Sequence, residues 1–477
     1  PEELDTVSNG DRVAARPLDD GLREDHWRFD DRAPSYLISL IVADLETRTT
    51  TWQDVTLEYS AVPERAAELE TSLGRTPEML AFFSDWLDAP YPWKRYAQTF
   101  VWDFIYGGME NVTATTLNMR ALHAPAARPN YRSEALVAHE LAHMWFGDLI
   151  TCRTWKGIWL NEGFATYLTD LYFGAWLGEE AFRLRRRRQN RSYMDGTPNA
   201  AALNLERHPR GDRPLELYGG KQYNRGAAIL HMLRLELGDQ TFQRAIRAYV
   251  AAHRDEAVGS EDFRRVVERV AGRDLSFFFD QWVYGAGYPV LNVRWEGARG
   301  RLTVTQTQEQ RAGQGLFRFT LPVRAGSDGE VHAHRIWRRT HTFELPDTKG
   351  APFVRVGVRG DLLARIRLQT TKPNWAKALA LDPDVTGRLD AVEALERHGV
   401  SGVDDLARAL VGDPSWAVRE AAAKALAPMD LDASAGAALL AATGDEDARV
   451  RVAVYLSLIH ISEPTRHICL SRMPSSA

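Results

Sequence analysis

The spacing of hydrophobic and polar positions divides the chain into a β-rich start, a long helical stretch, a second β-rich stretch and a helical end. Near the start, the apolar run at residues 35–42 is predicted to be a buried strand, with polar turn signals on either side. Apolar residues recur at helical spacing over much of residues 53–288. From Val290 onward, short alternating runs such as residues 317–321 indicate the strands of a small β-sandwich.

The helical end of the chain repeats itself. An Asp-Pro pair begins at Asp382 and recurs 31 residues later at Asp413, and a third unit begins near Asp445. Alanine-rich helix pairs with this period indicate a HEAT-like α-solenoid, in which each repeat packs on its neighbours.

These patterns predict a multidomain α+β chain. Its expected segments are a remnant of an N-terminal β-domain at residues 1–52, a mostly helical domain at 53–288, a β-sandwich at 289–370, HEAT-like repeats at 375–455 and a tail at 456–477. The tail resembles the in-frame translation of a sequencing adapter and is expected not to belong to the native protein. Pro1 shows neither an initiator methionine nor a signal-peptide pattern, so the chain is expected to be a fragment.

The composition and charge limit the classes of molecule that the chain is expected to bind. The net charge of −5 and the pI near 6.3 give no general attraction to nucleic acid or to an anionic membrane. An arginine-rich run at residues 183–191 would spread around a helix and is interpreted as a solvated surface. No stretch is long and apolar enough to predict a membrane span. Because the chain has only two cysteines, a disulfide framework is excluded and a cytoplasmic location is expected.

One motif carries most of the chemistry, the run from His139 to His143. Positions four apart lie on the same face of a helix, so the two imidazoles can bind one ion. Eighteen residues separate His143 from Glu162, enough to end the first helix by Gly147 and return with a second helix. Two histidines and one carboxylate leave a fourth tetrahedral position open, which predicts one hydrolytic Zn²⁺ per chain. Glu140 lies one residue round the helix and is predicted to be the general base.

A second segment resembles a place where a substrate backbone could lie. Gly107 and Gly108, followed by Met109, Glu110 and Asn111, come after an apolar run and would permit close approach of another chain. Glu110 would offer a charge-assisted contact to a free α-ammonium group. The same five residues could equally form a turn, and the residues alone do not decide between the two.

Together these motifs resemble the gluzincin aminopeptidase family, the aminopeptidase N-like enzymes that include leukotriene A4 hydrolase, in a bacterial form with C-terminal HEAT-like repeats. The likeness covers nearly all of residues 1–290 and implies a thermolysin-like zinc catalytic domain over 53–288. It further implies that Glu110 binds the substrate N-terminus and that Tyr223 stabilises the tetrahedral intermediate. Among fifteen tyrosines, the sequence alone does not single out Tyr223.

The resemblance implies hydrolysis of N-terminal residues from peptides with a free N-terminus. Gly108 stands where the family usually has alanine, a variant shared with the epoxide-hydrolase branch, so a bifunctional enzyme is one alternative. A non-catalytic scaffold with a relict peptidase core is the other. Arg225 stands where the family usually has lysine. The missing front of the N-terminal β-domain would remove one further residue of the amine site.

Overall fold

The computed structural model describes residues 1–196, 203, 221–308, 315–345, 348–429 and 433–462. The chain divides into two units, Pro1–Gly287 and Tyr288–Ala477. Of the adapter-like segment 456–477, the part from residue 463 onward lies outside the described residues.

The first unit begins with short strands. The strands of this unit are Asp5–Ser8 (β1), Asp11–Pro17 (β2), Arg23–Arg28 (β3), Leu40–Ala43 (β4), Glu46–Trp52 (β5), Val55–Ala61 (β6), Arg95–Val101 (β7), Gly108–Met109 (β8), Ala114–Asn118 (β9), Ile150–Cys152 (β10) and Glu256–Val258 (β11). β1 pairs with β4, β2 with β3, and β10 with β11.

The buried strand predicted at residues 35–42 is wrong in both extent and burial. Ser35–Leu37 forms a short 3-10 helix, and only β4 is extended. The side chains of Leu40 and Val42 are 68% and 50% exposed. The reason is geometric: alternate side chains of a strand point to opposite faces, and only Ile41 and Ala43 pack on the core beside Val7.

The predicted substrate segment supplies one edge strand of a five-stranded sheet. Its order is β5-β6-β7-β9-β8, with parallel pairing of β6 with β7 and of β7 with β9. The central strand β7 is buried over most of its length, as expected for a strand covered on both faces. β8 pairs only with β9 and forms one edge of the sheet. β5 and β6 pair across the boundary expected between residues 52 and 53, which stays a prediction.

Helices form most of the remainder of this unit. The helices are Leu69–Leu73 (α1), Thr76–Leu87 (α2), Glu134–His143 (α3), Trp159–Leu177 (α4), Glu179–Gly196 (α5), Gly226–Leu237 (α6), Asp239–Ala252 (α7), Ser260–Ala271 (α8) and Ser276–Trp282 (α9). Every position of α4 from Trp159 to Phe173 is buried, so this helix is the centre of the unit. Among the described residues, none of the helices combines the length and the apolar character that crossing a membrane requires.

The second unit joins two sheets to helical repeats. Its strands are Val290–Glu296 (β12), Arg301–Gln306 (β13), Phe319–Ala325 (β14), His332–Ile336 (β15), Thr340–Glu344 (β16), Val354–Val356 (β17) and Arg365–Gln369 (β18). They form one sheet of order β16-β13-β12-β18 and another of order β15-β14-β17. Its helices are Lys372–Leu381 (α10), Val385–Glu396 (α11), Val403–Gly412 (α12), Trp416–Leu426 (α13), Ala433–Ala441 (α14) and Ala448–Ser462 (α15). Burial alternates along β13 and β14, as the alternating runs of the sequence predicted, and the sandwich at residues 289–370 stays a prediction.

Ion pairs between an arginine of one repeat and an aspartate of the next recur with the period seen in the sequence. We call this series of pairs the arginine–aspartate ladder. Arg388 donates to the carbonyl oxygen of Asp382 in its own repeat and to both carboxylate oxygens of Asp413 in the next. Arg419 makes the same contacts with the carbonyl oxygen of Asp413 and the carboxylate of Asp445. These side chains are nearly buried, so each pair links one repeat to the next through a desolvated ion pair.

Breaking one step of this ladder is expected to destabilise the repeats. Arg388→Met keeps the length of the side chain but leaves the Asp413 carboxylate buried without its partner, at a cost of about 3–5 kcal/mol. The measurement is chemical denaturation of the full chain, with hydrogen exchange of residues 385–426 as the local readout.

Arg408→Met is the matched control, because Arg408 pairs with Asp405 at the surface and its side chain is 71% exposed. The control is expected to change the free energy of unfolding by less than about 1 kcal/mol. An equal loss in the two variants would contradict a structural role for the buried ladder.

Candidate active site

The three predicted metal ligands come together between α3 and α4. His139 and His143 lie one turn apart at the end of α3, and their Nε2 atoms are 3.1 Å apart. Glu162 lies in the first turn of α4, and its Oε2 atom is 3.2 Å from His139 Nε2 and 3.3 Å from His143 Nε2. The structure therefore brings two imidazole nitrogens and one carboxylate oxygen into a nearly equilateral triangle.

This triangle has the dimensions of a metal site. Zn²⁺ binds histidine nitrogen and carboxylate oxygen at about 2.0–2.2 Å, so neighbouring ligand atoms of a tetrahedron are separated by about 3.3 Å. The observed separations of 3.1 to 3.3 Å match that edge. The donor set and its spacing thus fit a divalent zinc ion, with the fourth position left to a non-protein ligand.

The orientation of His143 depends on the backbone. Its Nδ1 atom lies 2.8 Å from the carbonyl oxygen of Phe146, which holds the ring in the tautomer that leaves Nε2 as an acceptor.

Ser133 stands at the N-cap position of α3, but its hydroxyl donates to the carbonyl of Ser72 and not to the helix. This contact fastens the start of the helix to the neighbouring segment.

Burial and charge act against each other at the three ligands. Burial alone would raise the pKa of Glu162, but His143 and His139 outweigh it and lower that pKa to about 2. Burial lowers the pKa of His139. For His143, burial also opposes the charged form, yet the carboxylates of Glu110 and Glu162 raise its pKa well above the ordinary value. The pocket therefore favours a positive charge at its centre.

Two further carboxyl groups face the same place. Glu110, Glu140 and His143 bring their ligand atoms within 4.8 Å of one another. Burial raises the pKa of Glu110, and it raises the pKa of Glu140 well above the ordinary value, although His143 opposes both shifts. A Cβ atom built on Gly108 would lie 2.5 Å from Glu140 Oε1. The Glu140 side chain would therefore have to shift to accommodate a Cβ atom at this position.

The predicted substrate segment is extended and not simply a turn. Gly108 and Met109 form β8, and the backbone oxygen of Gly107 accepts from Asn118. Asn111 is buried, accepts from the Thr116 hydroxyl and donates to the carbonyl of Leu37. Asn111 thus holds the segment in place, while β8 offers the sheet edge.

Tyr223 lies beside the three ligands. Its hydroxyl donates to Glu162 Oε1 at 2.9 Å, on the oxygen opposite the one that faces the histidines. It belongs to the π-helical turn Lys221–Arg225 that precedes α6. Burial and the neighbouring Glu162 carboxylate raise its pKa well above the ordinary value, so the phenol keeps its proton and stays a hydrogen-bond donor.

Comparison with known families agrees with this arrangement. Residues 71–282 match the model described as the Peptidase family M1 domain. The chain carries a peptidase family M1 domain. The resemblance to gluzincin aminopeptidases is thereby confirmed, and residues 373–459 match a model of HEAT repeats, as the sequence period predicted.

Several curated relatives resemble this M1 chain. Aminopeptidase M1-C of Oryza sativa is 28% identical over 62% of the chain and 34% of its own length. Endoplasmic reticulum aminopeptidase 1 of Homo sapiens is 30% identical over 71% of the chain and 38% of its own length. The chain therefore spans little more than a third of each relative.

A solved structure shows the same fold. The crystal structure of Legionella pneumophila aminopeptidase A in complex with aspartic acid matches 98% of this M1 chain and 62% of its own, with a TM-score of 0.79 at 17% identity. At that identity the likeness establishes the fold alone.

Sequence reasoning missed two residues at this site. Asp148 is buried, its carboxylate has no hydrogen-bond partner among the described residues, and burial raises its pKa well above the ordinary value. The signal was an acidic residue inside an otherwise apolar run. Asn161 precedes Glu162, and its side chain accepts from the backbone of Cys152 and donates to Tyr36. No spacing rule points to Asn161, because one of its partners, Tyr36, lies far away in the sequence.

Metal analysis of the purified chain tests the ligand triangle. We expect one zinc ion per wild-type chain and a loss of zinc affinity greater than about 100-fold in His143→Ala and in Glu162→Gln, because each removes one of three protein ligands. His253→Gln is the control, since His253 pairs with Glu256 instead. Full zinc retention in both ligand variants would show that the triangle does not bind the metal.

Proposed function

We propose that this chain is a zinc-dependent aminopeptidase that removes N-terminal residues from peptides with a free N-terminus. The observation that carries the proposal is the convergence of His139, His143 and Glu162, with Glu140 and Glu110 clustered around the same His143. The aminopeptidase names of the relatives support the same activity.

A bound zinc ion would supply a Lewis acid and would lower the pKa of a water molecule in the pocket. Glu140 is the residue that receives the proton of that water. Burial raises the pKa of its carboxyl group well above the ordinary value, although His143 opposes the shift, and a raised pKa makes a carboxylate a stronger base. Glu140 then carries the proton to the leaving nitrogen.

Glu110 selects chain ends over internal peptide bonds. Glu110 is 6% exposed, and its carboxylate lies in the same cluster as that of Glu140. A free α-ammonium group would form a charge-assisted hydrogen bond with this carboxylate and offset the cost of its burial. An acetylated N-terminus carries no charge and would leave Glu110 without a partner.

The edge strand β8 orients the rest of the substrate. An extended peptide can add a strand to an exposed sheet edge and use its backbone hydrogen bonds for affinity. Gly108 and Met109 occupy that edge, with Gly108 directly over the Glu140 carboxylate.

Tyr223 stabilises the oxyanion that develops on the substrate carbonyl. Its protonated phenol lies in the pocket and, in this structure, donates to Glu162. A donor aimed at developing charge in a water-poor pocket typically contributes about 10²- to 10³-fold to kcat.

Two substitutions test the assigned roles. Glu140→Gln removes the base and is expected to lower kcat by about 10²- to 10⁴-fold. Tyr223→Phe removes one donor and is expected to lower kcat by about 10²- to 10³-fold, with KM little changed. Both variants should keep one zinc ion per chain, as measured by metal analysis beside peptide-release kinetics.

Tyr167→Phe is the matched control for the tyrosine, because Tyr167 is buried on α4 and bonds His231 away from the pocket. Activity near the wild-type level in Tyr223→Phe would remove Tyr223 from the mechanism. Full activity in Glu140→Gln would end the proposal of a zinc peptidase.

Substrates that differ only at their N-terminus test the role of Glu110. We expect release of amino acids from free peptides and a kcat/KM at least about 100-fold lower for N-acetylated peptides, because the buried carboxylate then loses its charged partner. Glu110→Gln should reduce this discrimination by lowering activity on free peptides. Equal cleavage of free and acetylated peptides would point to an endopeptidase.

A further inference from the structure

The backbones of two helices touch beside the pocket. A Cβ atom built on Gly163 would lie 2.9 Å from Gly226 Cα, and one built on Gly226 would lie 2.7 Å from Gly163 Cα. Real Cβ atoms do not approach backbone so closely, so neither position can take a larger residue unless the helices separate. The two glycines therefore allow α4 and α6 to cross at a distance that larger residues would not permit.

Each of these glycines adjoins a residue of the site. Gly163 follows Glu162 directly, and Gly226 comes three residues after Tyr223, at the start of α6. A Cβ atom on Gly163 would also lie 3.4 Å from the carbonyl oxygen of Gln222, within the π-helical turn that carries Tyr223. The glycine contact thus sets the distance between the segment of backbone that bears Glu162 and the one that bears Tyr223.

A buried arginine fastens the same turn to another part of the unit. The Arg225 guanidinium donates to the carbonyl oxygens of Trp282 at 2.9 Å and Gly285 at 2.8 Å. Its fork of fixed donors can hold two carbonyl groups at once, which a lysine ammonium on a flexible stem does less rigidly. Arg225 therefore limits rotation of the turn, while the glycine contact limits its distance from α4.

We propose that the crossing at Gly163 and Gly226 positions the Tyr223 hydroxyl for catalysis, with Arg225 as its anchor. These three are positioning residues, because they act through Tyr223 and not on the substrate. The inference rests on the proposed function, in which Tyr223 stabilises the oxyanion. Moving a catalytic donor by about 1 Å can cost about 10²-fold in rate.

The test is a double-mutant cycle with the full zinc-loaded chain. Gly226→Ala is expected to lower kcat by about 100-fold with KM within about twofold, because the lost contact belongs to the transition state. In a Tyr223→Phe background the same substitution should lower kcat by less than about twofold, since the donor that it misplaces is already gone. Equal effects in the two backgrounds would overturn the proposal.

Gly174→Ala is the control, on the helix α4 that carries Gly163. Its Cβ atom would lie 3.2 Å from Phe182 Cβ, so it disturbs the packing of α4 without touching the turn that carries Tyr223. It should lower the melting temperature slightly and leave kcat unchanged. A fall in kcat comparable to that of Gly226→Ala would assign the effect to general destabilisation.

Arg225→Lys keeps the test decisive if Gly226→Ala fails to fold. It removes the fork of fixed donors and should lower kcat by about tenfold, an effect that should again vanish in the Tyr223→Phe background. A crystal structure of either variant supplies a readout independent of activity. The proposal fails if the Tyr223 hydroxyl stays at 2.9 Å from Glu162 Oε1.

These outcomes separate the two proposals. A wild-type chain without peptidase activity, or an active Tyr223→Phe variant, refutes the proposed function. An active wild type with an impaired Tyr223→Phe variant, combined with a normal or additive Gly226→Ala variant, refutes only the positioning role.

Discussion

The crowding of buried carboxyl groups around two imidazoles is the constraint on which the site depends. Glu110, Glu140 and Glu162 are all nearly buried and lie close to His143, and Asp148 adds a fourth buried carboxyl group nearby. Removing such charges from water costs several kcal/mol each unless a partner of opposite charge is present. Although burial opposes its charged form, the neighbouring carboxylates raise the pKa of His143 well above the ordinary value. A divalent cation would offset the cost of burying these carboxyl groups, which links the structure of the site to its proposed chemistry.

The surrounding structure holds the backbone segments that carry the site residues in fixed positions. α4 is buried over most of its length, so its first turn cannot shift without disturbing the core of the unit. His143 is held by a carbonyl group, and the start of α3 is held by Ser133. Catalytic groups that sit on rigid elements lose little freedom when a substrate binds, so binding energy remains available for the transition state. The edge strand β8 is also held in place, because the hydrogen bonds of Asn111 fix the segment that follows it.

The sequence predicted those parts of the site that follow from local geometry. Two histidines four apart on a helix share a face, and the separation to Glu162 is long enough for a second helix to return beside the first, so the spacing predicts that these three side chains can meet. Tyr223 could not be derived in this way, because its place depends on a contact between Gly163 and Gly226 that no periodicity encodes. The same limit explains the error at β4, where hydrophobic residues were expected to be buried. Composition indicates that a segment is apolar, but only tertiary packing determines which of its faces is covered.

The choice between an enzyme and a relict scaffold can be argued from stability. A pocket with several buried carboxyl groups, one of them without a hydrogen-bond partner among the described residues, lowers the stability of the unit that contains it. A chain retained only for its repeats would gain stability by replacing any of these residues with apolar ones. Here the three predicted ligands, the proposed base Glu140 and the phenol of Tyr223 are all present and lie close together. Such a costly arrangement is expected to persist only where it is used, and the favoured use is hydrolysis at the N-terminus of a peptide.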